Sequence, residues 1–205
     1  MDARGPIRLR RENLYAVSAV CARAFARAPR IAHFFREERR RCSHADEFFR
    51  MRIRYGLLFG EVYTTSPNLE GVAVWLPSER ASMTVWREIR AGGIRLYRAV
   101  GADAVARMTH VSTHNERLRR RSISGKHWVL SLVAVDPEYK RQGHGSALVR
   151  PVLARLERDH VPCYAETTEP AVLPFYAHMG FRPGAPAVPG TDLKVWPLVR
   201  SISGG

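Results

Sequence analysis

Between an apolar run and a helical one stands Asp136-Pro137-Glu138-Tyr139-Lys140-Arg141-Gln142-Gly143-His144-Gly145-Ser146, a set of residue types suited to holding phosphate. Pro137 ends the strand expected before it. Gly143 and Gly145 let the backbone bend and approach a ligand closely, and the helix expected over Ala147 to Arg158 begins with unpaired N–H groups and the positive end of its dipole. With Lys140 and Arg141 alongside, the segment reads as a pyrophosphate cradle. It is neither of two better-known phosphate motifs. The dinucleotide fingerprint needs a third glycine where Leu148 stands, and a P-loop needs a Gly-Lys-Ser or Gly-Lys-Thr, which does not follow.

Other chemistries find less support. Cys21, Cys42 and Cys163 are widely spaced and form no Cys-x-x-Cys pair, so neither a disulfide framework nor a zinc site is expected, and all three are read as buried free thiols. His110 and His114 fall on one helix face, but Val111 occupies the place where a zinc protease carries glutamate. They read as solvated histidines, and no metal is expected. The net charge of +14 raises nucleic-acid binding, yet the arginines are scattered over most segments, and no nucleic-acid partner is expected. The positive field still favours an anionic small molecule.

The elements that must position the cradle follow from periodicity. At 205 residues, with 45% hydrophobic and 25% charged residues, the chain 1–205 reads as one α/β domain. No apolar run reaches the roughly 18 residues of a membrane span. The opening Met1-Asp2-Ala3-Arg4-Gly5-Pro6 lacks a signal-like apolar stretch, so a soluble, cytoplasmic protein is expected.

Ile7 to Arg10 alternates like a short strand. Leu14, Val17, Cys21 and Phe25 mark one helix face, and a second helical stretch carrying Phe34, Phe35, Phe48, Phe49 and Ile53 ends near Gly60. Strands are expected at Glu61 to Thr65 and Val72 to Leu76 around a Pro/Gly turn. The stretch from about 81 to 121 reads as a helical insert broken at Gly92-Gly93 and closing on an exposed basic run, Arg119-Arg120-Arg121. The apolar, β-branched run from His127 to Val135 suits a central strand buried on both faces.

The order Val133-Ala134-Val135-Asp136-Pro137, then Lys140-Arg141-Gln142-Gly143-His144-Gly145, then Leu173-Pro174-Phe175-Tyr176-Ala177-His178-Met179-Gly180-Phe181 resembles the GCN5-related N-acetyltransferases (GNAT superfamily), and within them most resembles the puromycin N-acetyltransferase branch. The resemblance is strongest over 129–182 and includes Pro151 and Glu166-Thr167-Thr168. Two positions depart from the pattern: Lys140 stands where Gln or Arg is usual, and Glu169 where many relatives carry Asn.

The resemblance implies a GNAT-type fold, with a mixed, mostly antiparallel central sheet, a splayed parallel pair formed with a strand at about Val161 to Thr167, and flanking helices. It implies acetyl-CoA as cosubstrate. Its pantetheine would pair with backbone along Val133, Ala134 and Val135, and its pyrophosphate would lie on Lys140, Arg141, Gln142, Gly143, His144, Gly145 and Ser146. Tyr176 would serve the departing sulfur as acid or hydrogen-bond donor. Glu166 is the candidate base, directly or through water, and His127 a weaker one. A neutral attacking amine costs roughly 4 kcal/mol at neutral pH if lysine-like and about 1 kcal/mol if an α-amine.

The expected function is acetyl transfer to a primary amine of a small molecule, a class that includes aminonucleoside-like amines. Peptide or protein N-acetylation and a CoA-responsive regulator are the alternatives. The acceptor would be shaped by the first two helices and the 81–121 insert, and a monomer or homodimer is expected.

Overall fold

The computed structural model describes residues 5–187, 190 and 192–202. The chain runs β1 (Ile7–Arg8), α1 (Leu14–Ala24), α2 (Pro29–Phe34), α3 (Glu38–Phe59), β2 (Glu61–Thr64), β3 (Gly71–Pro77), α4 (Ser78–Ala81), α5 (Val85–Ala91), α6 (Gly93–Ser122), β4 (Trp128–Val135), α7 (His144–Arg158), β5 (Cys163–Thr167), α8 (Leu173–His178), β6 (Arg182–Pro183) and β7 (Trp196–Arg200). The strands form one sheet of order β1-β2-β3-β4-β5-β7-β6. All neighbours are antiparallel except β4 and β5, which run parallel. The sheet class, the central place of β4 and the parallel pair agree with the reading of the sequence.

Side-chain alternation divides the core into two layers. Val72, Val74 and Leu76 of β3 join α1, α2, α3 and α6 on one face, while Ala73 and Trp75 join α7 and α8 on the other. Along β4 the alternation breaks. Leu130 belongs with α7 and α8, whereas Leu132, two residues on, packs with the α1–α3 layer. The pairing explains the switch: Trp75 faces Leu130 and Val74 faces Leu132, so Ser131 is an extra residue without a cross-strand partner, a β-bulge that reverses which face each following side chain takes.

Several expectations are corrected. The second helical stretch is two helices, because the chain turns out of the helix at Phe35 (φ −120, ψ 87) before α3 begins. The insert breaks at Gly92 as expected but also at Gly101, where φ 80 and ψ 171 interrupt α6. Of the basic run, Arg120 and Arg121 are exposed but Arg119 is buried, held by Glu116 at 2.7 Å and by His127. Cys42 is exposed, since it sits on the outer face of α3; only Cys21 and Cys163 are buried. β4 is not buried on both faces throughout, because Ser131, Leu132 and Val133 are half-open to the internal cavity described below.

The turn from α3 into β2 depends on a close backbone approach. A Cβ on Gly60 would lie 2.1 Å from Trp75 O and 2.8 Å from Leu76 Cδ2, so Gly60→Ala must push β3 away from the end of α3. Overpacking of this kind costs about 1–3 kcal/mol. The expected outcome is a lower urea midpoint with an unchanged m-value; an unchanged midpoint would show that the α3–β2 connection yields freely.

Candidate active site

β4 and β5 pair only where Trp128, Val129 and Leu130 face Cys163, Tyr164 and Ala165. Beyond that point they separate. Asp136 donates its N–H to Glu70 O at 2.8 Å, on the β3 side, so by strand alternation the peptide groups of Val133 and Val135 turn the other way, into the gap. An extended ligand placed there would find backbone partners as an added strand does.

At the end of β4 the chain is fastened before it enters the glycine loop. The Arg23 guanidinium of α1 pairs with Asp136, whose other oxygen accepts from Glu138 N–H. Arg141 and Gly143 then take positive φ values of 63 and 86, a reversal that glycine adopts freely and arginine rarely. Gly143 O accepts the N–H of Ala147, which leaves the N–H groups of His144, Gly145 and Ser146 as first-turn donors of α7. No acidic residue stands in that turn, and Lys140 and Arg141 adjoin it. These features suit a pyrophosphate: free donors, a helix dipole, positive charge and no competing carboxylate.

A cavity of about 1050 Å³ joins this loop to the rest of the site. Val133, Ala134, Val135, Lys140, Arg141, Gly143, His144, Gly145 and Ser146 line it, as do Glu166 and Tyr176. Of the residues expected at the pyrophosphate, Gln142 alone is not in its wall; its side chain folds back to Glu138 O at 3.2 Å and braces the loop.

Tyr176, on α8, is buried with its ring edge-on to Phe175 and Phe181. Among the described residues its hydroxyl has no hydrogen-bond partner. Burial pushes its pKa well above the usual phenol value, an effect that the Arg30 charge opposes. It therefore keeps its proton at any physiological pH. Glu166, on β5, is held by Arg30 Nη1 at 3.0 Å and by Asn115 Nδ2 at 2.5 Å.

His127 lies elsewhere in chemistry as well as position. Its Nδ1 contacts Gly125 O at 2.8 Å, and its Nε2 meets Arg119 Nη1 at 2.7 Å. Since a carbonyl accepts and a guanidinium donates, the ring is the neutral Nδ1–H tautomer with both nitrogens engaged. It does not line the cavity, which removes it from the candidate bases. Cys163 faces the layer away from the acceptor side, and burial pushes its thiol up to about 12, so it is no nucleophile.

The sequence reading missed the residues around Glu166: Arg30, Arg52, Asn115, Ser131 and Tyr164 all line the cavity. One signal was present. Arg52 stands among Phe49, Met51 and Ile53, three and four residues from Phe49 and Phe48, so it interrupts an apolar helix face with a charge.

Residues 92–183 match the family model described as Acetyltransferase (GNAT) domain. The whole chain superposes on a Corynebacterium glutamicum protein described as histone acetyltransferase HPA2 and related acetyltransferase, with a TM-score of 0.69 at 19% identity over 98% of this chain and 99% of that one. The fold is that of the GNAT acetyltransferases. A polyamine N-acetyltransferase of Drosophila melanogaster shows the same GNAT architecture, with a TM-score of 0.60 at 14% identity over 96% of this chain and 99% of that one. Among the described residues no helix is long and apolar enough to cross a membrane, and no cluster of possible metal ligands occurs.

His127 gives a pH signature. Burial lowers its pKa below the usual imidazole value, as it does for His33 and His114. Below about pH 6.5 the unfolded chain therefore takes up protons that the folded chain refuses, so stability falls with pH until the folded pKa is passed. We expect denaturation free energies measured from pH 7.5 to 5.5 to fall in the wild type and to fall less steeply in His127→Gln, which can keep both hydrogen bonds. Equal slopes would remove His127 from the linkage.

Proposed function

We propose that the chain is an acetyl-CoA-dependent N-acetyltransferase acting on a primary amine of a small molecule. The observation that carries this reading is the single cavity that connects the α7 donors, the β4–β5 gap, Tyr176 and Glu166. Acetyl-CoA, a cosubstrate, would supply the thioester. The chain's own part is to bind phosphate at the N–H groups from Arg141 to Ser146 and to hold the pantetheine amides at Val133 and Val135. The thioester is thereby aimed into the gap.

The amine enters from the α1–α3 side and attacks the thioester carbonyl carbon. The C–N bond forms as the C–S bond breaks, the proton lost by nitrogen passes to Glu166 directly or through water, and the departing sulfur is met by Tyr176 Oη. Arg30 and Asn115 fix the Glu166 carboxylate in place. Because the Tyr176 pKa is raised, its contribution is a hydrogen bond to the developing thiolate more than complete proton release.

Closure of the acceptor side supports a small molecule over a peptide. Arg107 of α6 donates to Phe34 O at 2.7 and 3.1 Å, and Asn115 of the same helix reaches β5, so α6 is tied across the chamber from α2 to the sheet. The two fold neighbours carry names with different acceptors, and this enclosure is the feature of the chain itself that bears on the choice. An aminonucleoside of puromycin type remains within the proposed class. The unpaired cysteines fit a reducing compartment, and we place the protein in the cytoplasm.

CoA at about 100 times its dissociation constant should stabilise the fold by about 2.7 kcal/mol. Gly143→Val, strained at φ 86, should abolish the thermal shift while remaining folded; a normal shift in that variant would place the phosphates elsewhere. Tyr176→Phe should lower the single-turnover rate about 10- to 100-fold, the value of a hydrogen bond to a charged group, and leave CoA affinity nearly unchanged. A wild-type rate would make Tyr176 a core residue only.

A further inference from the structure

Toward the α1–α3 side the cavity wall holds an arginine that has no ion-pair partner among the described residues. Arg52 of α3 is surrounded by the fold yet keeps surface open to the cavity. Its Nη1 meets Met83 Sδ at 2.7 Å and its Nη2 donates to Ser131 Oγ at 2.5 Å, both neutral partners. Among the described residues no carboxylate forms an ion pair with it. Glu88 of α5 lines the same cavity, but burial raises its pKa and so favours the uncharged acid, against the pull of Arg52. A buried guanidinium left in this state is unfavourable unless something else brings the counter-charge.

Arg30 adds to the imbalance. Only its Nη1 is used, on Glu166, while Nε and Nη2 are enclosed without a partner. Those two nitrogens form the edge of the guanidinium that matches a carboxylate bidentately. Tyr164 Oη and Asn115 Oδ1, from residues lining the same cavity, are also enclosed without partners. Arg52 and Arg30 thus share the cavity wall with Glu166, and only Arg30 is paired with it. CoA phosphates do not account for this, since Ser131 to Asp136 spans about 16 Å of extended strand between Arg52's partner and the phosphate loop.

We propose that the acceptor is an α-amino acid with an apolar side chain. Its carboxylate pairs with Arg52, beside the Arg30 guanidinium, and its amine lies against Glu166. Its side chain enters the chamber walled by Phe25, Phe34, Phe48 and Phe49, whose rings pack at centroid distances of 5.2 to 5.6 Å. The adjacent charges of Arg30 and Glu166 are complementary to a zwitterion, in which amine and carboxylate are separated by one carbon.

This inference rests on the acetyl-transfer reading, and two readouts separate them. Isothermal titration into CoA-saturated protein compares L-phenylalanine with L-phenylalaninamide and 2-phenylethylamine, and L-leucine with 3-methylbutylamine; thiol release from acetyl-CoA is followed with the same compounds. We expect the two amino acids to bind at least about tenfold tighter than their decarboxylated counterparts, Arg52→Gln to collapse that ratio, and Arg52→Lys, which keeps the charge, to retain part of it. Equal or tighter binding of the decarboxylated amines, or of the amide, overturns the inference, as does binding of none of the five. Carboxylate-dependent binding without thiol release from any compound overturns the acetyl-transfer reading and leaves the carboxylate site standing. Should Arg52→Gln fail to fold, the wild-type ratios and Arg52→Lys decide the matter.

Discussion

Across the junction of Val74 and Trp75, β4 carries one residue more than β3, and the site follows from where that residue goes. Ser131 is left unpaired, so each side chain beyond it takes the face opposite to the one that simple alternation would give. Leu130 can then pack with α7 and α8 while Leu132 packs with α1 to α3. The same extra residue falls one position after the last contact between β4 and β5. The strand therefore bends where its parallel partner is lost, and the peptide groups of Val133 and Val135 are left facing a gap. The separation from β5 leaves those groups without ladder partners, which a ligand entering as a strand would supply.

The two ends of the cavity solve opposite electrostatic problems. At α7 the donors are backbone N–H groups and surface cations, well suited to a phosphate that stays partly hydrated. At the other end the charges belong to Arg30, Arg52 and Glu166, which are half-buried and held by one another, by Asn115 and by Ser131. Fixed charges in such a place are costly to bury but require no reorganisation when a ligand of matching charge arrives. The bulge links the ends, because Ser131 accepts from Arg52 on one side while the strand it belongs to leads to the glycine loop on the other.

How much was legible in the sequence depended on whether the residues of a feature are contiguous. The glycine loop is a local structure, and its order of strand, proline, cations, glycines and helix could be read directly; that the Gln142 side chain turns back to Glu138 O could not, since loop dihedrals decide it. The β2–β3 hairpin followed from the Pro/Gly turn between its strands and β4 from its apolar run, whereas the parallel pair followed only from the resemblance to the acetyltransferases. The chamber was not legible, because Arg30, Arg52, Asn115 and Tyr164 come from four separate elements and have no common spacing. Arg119 was misread for a related reason: its neighbours in the basic run point outward, and only the meeting of α6 with the chain before β4 shows that the first arginine of the run turns in to His127 and Glu116.

Tyr176 presents an acid–base difficulty that the geometry itself resolves. In water, a phenol of pKa near 10 and a thiol near 8.5 make proton transfer to the thiolate uphill by about 2 kcal/mol. Burial raises the Tyr176 pKa further, which taken alone would enlarge the barrier. In the proposed reaction, however, the sulfur would depart into the same enclosed space, and desolvation penalises a thiolate as it does a phenolate, because each is an anion formed from a neutral acid. The two shifts largely cancel, so the difference between donor and acceptor stays near its value in water while both acids become weaker. Under those conditions a hydrogen bond between them would be strengthened by the low dielectric, so in the proposed reaction the phenol would stabilise the departing sulfur without giving up its proton during bond cleavage.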